Sequence, residues 1–233
     1  MRPTMHHAPR RAKDLFGIAR PFVTAALALA ASFGFLHSSA AAEIDLLGTG
    51  TFKPPSAEQL TNLPADMAFS RADFASGTWS FLARYEDRTA DADPDPYVGR
   101  YVGAIRVFRL TVGATTIDLP VDQAELVVSD GGLGVPHQES IRLEASAPGP
   151  YGVLRVSWVQ RNQPSHQTDL RGAPGSLTSD SLPEPSMVAN LATSSPFDRF
   201  LLLRIDRADG EPQPLLYISS SKVLVRASPA VTK

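Results

Sequence analysis

Hydrophobic and polar residues alternate over much of the chain downstream of residue 76, with the period of two that is typical of half-buried β-strands. The clearest stretch is Gly77–Glu86, in which one side of an extended chain is apolar throughout. That side consists of Trp79, Phe81, Ala83 and Tyr85. The segment is therefore predicted to be a strand with one buried face.

Further short apolar segments follow this pattern, and glycine or proline residues separate many of them. The additional predicted strands are Glu43–Phe52, Ala104–Val112, Thr115–Leu119, Ala124–Ser129, Glu139–Ala147, Tyr151–Gln160, Phe200–Asp206, Leu215–Ser219 and Lys222–Arg226. Within Ala104–Val112 the alternation slips near Val107–Phe108, which indicates either a β-bulge or burial on both faces.

Helical periodicity is weak, since no segment sustains it for three turns. Single helical turns are predicted at residues 57–60 and 187–189, and Asp209-Gly210 is the strongest hairpin-turn signal. Many short strands between turn residues favour an all-β fold. We predict an antiparallel β-sandwich of jelly-roll-like form, with a β-barrel as the alternative.

The first 42 residues have the layout of a secretory signal peptide. A basic region precedes the apolar run Phe22–Leu36, and Ala40–Ala42 supplies small residues for cleavage, so the mature chain is expected to start at Glu43. The alternative is a membrane anchor, but the run is shorter than the roughly 20 residues needed to span a bilayer. We predict a signal peptide at 1–42 and a single domain at 43–233, best defined over 70–228.

The net charge and the lack of cysteine exclude some classes of partner and of site. Because the leader carries five basic residues and one acidic residue, its removal changes the formal net charge from −2 to −6. An acidic exported domain is a poor candidate for binding nucleic acid. The chain has no cysteine, which excludes disulfides, thiolate metal sites and a lipid anchor on cysteine.

Catalytic residues do not stand out in the sequence. The mature part holds His137 and His166, both in loop-like stretches, and Ser165 adjoins His166 without forming a recognisable nucleophile–base motif. Neither G-x-S-x-G nor H-E-x-x-H occurs. A carboxylate pair for glycoside hydrolysis would be created by the fold, so the sequence names no catalytic residue and favours a non-enzymatic protein.

An acidic loop after the predicted strand Gly77–Glu86 is the strongest metal candidate. Asp87, Asp91, Asp93 and Asp95 offer the hard oxygen ligands that Ca²⁺ prefers. The spacing then departs from an EF-hand, because Pro96 stands where the tight-turn glycine is needed. The alternative is a turn made rigid by its Asp-Pro steps, with charges that discourage edge pairing.

Aromatic residues suggest a second kind of site. Trp79 and Trp158 lie on the apolar side of their strands, so core packing explains them. Tyr97 and Tyr101 flank the acidic loop and are predicted to be exposed stacking platforms for a sugar ring.

Three groups of residues in this chain resemble a set of exported bacterial β-rich proteins. They are Gly77–Phe81 with the loop Thr89–Pro96, the segment Gly99–Ile105, and Ser179–Pro183 with the following apolar strand. Many members of that set are uncharacterised envelope proteins, and many carry a C-terminal PEP-CTERM sorting tail. This chain departs from them there, because Pro183-Glu184-Pro185 lies mid-chain and Ala227–Lys233 is short and polar. The resemblance implies an exported β-rich domain and transfers no catalytic residue.

These observations together predict an exported, non-catalytic β-sandwich in the periplasm or outside the cell of a Gram-negative-type bacterium. Its expected role is binding or structural, with a glycan or an envelope or matrix component as partner and no membrane span in the mature form. The alternatives are a secreted polysaccharide hydrolase and a Ca²⁺-stabilised adhesion or matrix module.

Overall fold

A computed structural model of the chain describes residues 41–65, 67–131, 139–162, 176–191, 193, 198–220 and 222–230. Nearly all of the predicted signal peptide lies outside the described residues. The same holds for His137, Ser165 and His166.

Short strands dominate the described part of the chain. The strands are β1 (Glu43–Thr51), β2 (Thr78–Glu86), β3 (Val98–Val102), β4 (Ile105–Val112), β5 (Thr115–Asp118), β6 (Ala124–Asp130), β7 (Glu139–Gly149), β8 (Gly152–Asn162), β9 (Arg199–Arg207), β10 (Leu216–Ser220) and β11 (Lys222–Pro229). The helices are α1 (Ala57–Thr61), α2 (Arg71–Ala75) and α3 (Pro185–Asn190), with a 3₁₀ turn at Val121–Gln123. None of the helices described here has the length and apolar character to cross a membrane.

The strands form two separate antiparallel sheets, which confirms the predicted β-sandwich rather than one closed sheet. The five-stranded sheet has the order β11-β1-β2-β4-β5, and the six-stranded sheet has the order β10-β9-β8-β7-β6-β3. Consecutive strands β6 to β10 build most of the larger sheet as a meander. Strand β3 lies between β2 and β4 in the chain but belongs to the opposite sheet.

The irregularity predicted near Val107 is present. In the β2–β4 pair, Arg84 lies opposite Val107, whereas the next residue, Tyr85, lies opposite Ile105. Strand β4 therefore advances by two residues where β2 advances by one, as in a β-bulge. As a result, Ile105 and Phe108 both point into the core although they are an odd number of residues apart.

Two elements were not predicted. Strand β3 contains only five residues, one of them a glycine, and it carries no extended apolar alternation. Helix α2 also has five residues, which is too short for a hydrophobic period to be recognised. Both elements depend on tertiary contacts rather than on local pattern.

An aromatic cluster joins the two sheets. The Phe81 ring lies 6.0 Å from Trp79 and from Phe108 in its own sheet, and 6.1 Å from Trp158 of the opposite sheet, between ring centroids. All four side chains are buried. Gly48 lies opposite Phe81 in the register, and a Cβ atom there would come within 2.2 Å of the Phe81 ring. A larger residue at position 48 would therefore displace the central ring.

Residues 176–191, which we call the strap, cross the inner side of the sandwich near β3. The Tyr101 hydroxyl donates to the Asp180 carbonyl at 2.8 Å, and the Tyr85 hydroxyl donates to the Pro183 carbonyl. A Cβ atom at Gly99 would lie 2.2 Å from the Asp180 carbonyl oxygen, so only glycine permits this close approach. The strap thus contacts strands of both sheets.

Helix α2 is held against the β4–β5 hairpin by one carboxylate. Asp73 forms a capping box with Ser70, accepting from the Ser70 backbone N–H at 2.8 Å and from its hydroxyl at 2.7 Å. It also accepts from the Ala114 N–H at 3.1 Å and the Thr115 hydroxyl at 2.8 Å. These hydrogen bonds, led by that of the Ser70 side chain and opposed by burial, lower the Asp73 pKa to about 2.

Asp73→Asn is predicted to lower the free energy of unfolding by about 2–3 kcal/mol at pH 7, because the amide cannot accept all of these hydrogen bonds. Since the folded-state pKa is depressed, the ionised carboxylate stabilises the fold above the ordinary aspartate pKa of 3.8, and this contribution is lost as pH falls towards 2. Urea unfolding at pH 7 and pH 2.5 measures both effects. The exposed Asp122→Asn serves as control, and an equal loss in both variants would contradict the assignment.

Candidate ligand-binding face

The carboxylates of the acidic loop hold the loop's own backbone. Asp91 Oδ1 accepts from the Asp93 N–H at 2.9 Å and from the Arg100 N–H at 2.8 Å. Asp93 Oδ1 accepts from the Asp95 N–H at 3.1 Å, and Asp95 Oδ1 accepts from the Tyr97 N–H at 3.0 Å. This chain of local turns accounts for the repeated aspartates without a metal.

The predicted calcium ligands do not gather at one point. Asp87 instead accepts from the Ala42 N–H at 2.9 Å, beside the end of β1. Burial, followed by the negative charges of Asp91 and Asp95, raises the pKa of Asp180 on the strap. No group of three or more acidic or histidine side chains is arranged to hold a metal within the described ranges. The calcium site stays a prediction.

The two tyrosines differ in exposure. Tyr97 is half-buried at the loop, whereas Tyr101 is only 4% exposed and donates its hydroxyl to the strap. The expectation that Tyr101 is an exposed stacking platform is therefore corrected. It lies on the inward parity of β3, where burial in the core raises its pKa to about 12.

A polar row crosses the outer face of the six-stranded sheet, the face turned away from the other sheet. In the register, Ser146 lies opposite Arg155, Arg155 opposite Arg204, and Arg204 opposite Tyr217. Gln123, just before β6, continues this row at its other end. We call these five residues the polar row; at about 4.8 Å per strand it extends about 19 Å.

Two adjoining depressions follow the polar row. Their volumes are about 380 and 480 Å³, and they share Gln123, Ser146 and Arg155. Leu202 and Ser157 line the first, so its floor combines apolar and hydroxyl-bearing side chains. Together they form a groove with donors and acceptors along its length.

Carboxylates fix the arginines of this groove. Asp206 accepts from Arg155 Nε at 2.7 Å and also from Arg204 Nε. These hydrogen bonds, the one from Arg155 first, lower the Asp206 pKa. Asp206 thereby orients both guanidinium groups. Each guanidinium carries five N–H donors, so further N–H groups are left to bind a ligand.

Two further ion pairs lie on the same face beside the polar row. Arg100 contacts Glu125 at 2.7 Å, and Arg142 lies 3.4 Å from Glu144. Glu125 and Glu144 are direct cross-strand partners and both line the groove. Positive and negative side chains are therefore interspersed over this face, with no single-sign field.

Tyr217 provides an exposed aromatic ring at one end of the polar row. It is 56% exposed, which makes it one of the few large hydrophobic side chains turned to solvent among the described residues. Its strand, β10, is the edge of the six-stranded sheet. The ring is thus open on the side away from Arg204.

A cleft of about 320 Å³ opens at one end of the space between the sheets. Inner-face residues Ala147, Leu154 and Ile205 line it together with Phe69 and Ile117. None of its described lining residues is charged. Such a cleft lacks the set of convergent polar groups that orients a ligand, so the outer groove is the stronger candidate site.

Sequence analysis missed the groove for a physical reason. The outward positions Ser146, Arg155, Arg204 and Tyr217 can be read from strand parity, but their alignment depends on which strands are neighbours and on their register. Local pattern carries neither piece of information.

Comparison with known proteins gives no relative on which to base a function: no family model matches the chain, and neither a curated protein nor a solved structure is similar to it.

Asp91→Ala is predicted to lower the free energy of unfolding by about 1–2 kcal/mol, because two backbone N–H groups lose their acceptor. The loss should be the same with calcium and with chelator if the carboxylate acts only within the loop. Thermal unfolding in both conditions measures it, with the exposed Asp122→Ala as control. A wild-type melting temperature that falls on chelation, with Asp91→Ala insensitive, would instead establish a calcium site.

Proposed function

We propose that this protein is an exported, non-catalytic binding module that holds a neutral oligosaccharide in the groove on the outer face of its six-stranded sheet. The polar row carries the proposal. It places planar hydrogen-bonding side chains side by side across adjacent strands and ends at an exposed aromatic ring.

The chemistry of the polar row suits a sugar. Adjacent sugar hydroxyls both donate and accept hydrogen bonds, so they pair well with guanidinium, amide and hydroxyl groups held in fixed positions. The apolar faces of sugar rings stack on an aromatic ring such as Tyr217, whose amphipathic character suits a partly wet site. The polar row, which spans about 19 Å, offers contacts to several sugar units.

Charge balance favours a neutral glycan over a polyanion. The arginines at positions 100, 142, 155 and 204 all have a carboxylate partner on the same face. Their field is largely cancelled, so a polyanion would gain little long-range attraction. Hydrogen bonding and stacking remain as the sources of affinity.

The proposed location follows from the sequence. A basic region, an apolar run and a small-residue cleavage site support export, and glycans are abundant partners at the cell envelope. The absence of cysteine means that the fold depends on burial rather than on disulfides, wherever it acts.

We expect the mature domain to bind at least one neutral oligosaccharide on an array, with dissociation constants then measured by calorimetry. Arg155→Ala and Tyr217→Ala should each weaken binding at least about tenfold, since each removes one contact worth about 1.4 kcal/mol or more. Arg109→Ala is the matched control, because Arg109 also pairs with an aspartate, Asp118 at 2.8 Å, but on the other sheet.

Two results would contradict the proposal. One is an array in which no neutral glycan is retained by the folded wild-type domain. The other is a loss of binding in Arg109→Ala equal to that in Arg155→Ala, since this would place the ligand elsewhere.

A secreted polysaccharide hydrolase is the second candidate, favoured by one observation. Glu125 and Glu144 lie directly opposite each other in the groove, and directly opposed residues have Cβ atoms about 5 Å apart. Side chains that leave the sheet side by side in this way can bring their carboxyl groups to the roughly 5–5.5 Å separation of retaining glycosidases. Both carboxylates are engaged by arginines, however, which suits a structural ion-pair network better than acid–base work.

We expect the wild-type domain to bind glycan without releasing reducing ends on prolonged incubation. The assay compares reducing-end release by wild type, Glu125→Gln and Glu144→Gln. Release by wild type that both variants abolish while binding persists would replace the binding-module proposal with the hydrolase.

A further inference from the structure

One end of the space between the sheets is polar rather than apolar. The inward positions of β6, β7 and β8 at this end are Asp130, Glu139 and Asn162, which neighbour one another in the register. The next inward position on β8 is Gln160, which is fully buried. The strap, residues 176–191, covers these groups.

Glu139 is the unusual member of this set. Its side chain is 0% exposed, and its Oε2 atom accepts from the Leu177 N–H of the strap at 3.1 Å. Its Oε1 atom is buried and has no hydrogen-bond partner among the residues that the structure describes. Asp130 lies directly opposite on β6. An ionised carboxylate in this position would be poorly compensated.

Elsewhere the strap is held by groups that carry no charge. Tyr101 and Tyr85 donate to the carbonyls of Asp180 and Pro183. The Gln160 amide donates to the carbonyls of Val188 at 3.0 Å and Leu191 at 3.1 Å. The Leu177 end is therefore the part of the strap that is held by a group able to become charged. A carboxylate is the better acceptor for the Leu177 N–H, but an ionised carboxylate buried away from water is unfavourable, and opening of the strap would hydrate it.

We propose that the strap is a pH-sensitive latch, closed over the inner face while Glu139 carries a proton and released at its Leu177 end when Glu139 ionises.

The surroundings of Glu139 support this device. Burial, and then the negative charge of Asp130, raise the Glu139 pKa to about 7, although the Leu177 N–H acts in the opposite sense. The facing group on β8 is the neutral Asn162. The strap carries two titratable side chains, Glu184 and Asp180, and burial also raises the pKa of Asp180. Arg199 donates to Gln160 at 3.1 Å, one inward position away.

The sign of the effect follows from linkage. The closed state binds the proton more tightly than an open state with the ordinary glutamate pKa of 4.5, so closure is fully favoured below 4.5 and weakens as pH rises through about 7. With these two values the ratio of open to closed strap rises roughly 70-fold between pH 5 and pH 8.

Amide hydrogen exchange on the full mature domain tests the latch, with rates corrected for the intrinsic effect of pH. At pH 8 relative to pH 5, protection of the Leu177 amide and its neighbours in the strap should fall by that factor, while β8 and β9 amides change much less. Glu139→Gln keeps an acceptor for the Leu177 N–H and cannot ionise, so its strap protection should not depend on pH. The exposed Glu211→Gln should behave as wild type.

Three results would overturn the proposal: strap protection that is equal at pH 5 and pH 8, an equal loss across strap and core strands, or pH dependence that persists in Glu139→Gln. If Glu139→Gln fails to fold, a ¹³C titration of the Glu139 carboxyl in the wild-type domain replaces it. A carboxyl midpoint well above 4.5, with strap protection lost over the same pH range, supports the latch. A midpoint near 4.5, or a raised midpoint with unchanged strap protection, refutes it.

Discussion

The contact between the two inner faces, centred on Phe81 and Trp158, is the interaction on which the rest of the structure depends. Because side chains alternate along a strand, burying one set fixes the orientation of every other residue in the sheet. The outward position of Arg155 and Tyr217 thus follows from the inward position of Trp158 and Ile218. The same strand register therefore determines both the hydrophobic core and the proposed ligand-binding face.

The strap covers a part of the larger sheet, and its buried backbone needs hydrogen-bond partners. At its polar end, the inner face of the six-stranded sheet is covered by irregular backbone, whose carbonyl and N–H groups need hydrogen-bond partners away from water. Tyr101, Tyr85 and Gln160 supply these partners from the sheets. The strap therefore requires polar side chains at inward strand positions. Glu139 differs from the others because it can ionise, which is the basis of the proposed latch.

Sequence pattern predicted the strands and even the irregularity at Val107, since these depend on local alternation and burial. It missed β3, because a glycine holds one of its two inward positions and Tyr101 alone marks the buried face. It missed α2, because five residues are too few to display a helical period. It also placed Tyr101 at the surface, because proximity to an acidic loop in the chain says nothing of inward parity on a strand of the opposite sheet. The polar row and the Asp130–Glu139 pair arise from strand order, which no short stretch of residues records.

Pairing of the first and last strands has a consequence for the order of folding. β1 and β11 are neighbours over eight residue pairs, and Ser220 links the Trp79 indole to the Thr51 carbonyl next to this junction. Contacts between residues so distant in sequence form slowly and require both partners to be present. Because β1 pairs with β11 on one side and with β2 on the other, the five-stranded sheet is complete only when the last strand of the chain has joined it.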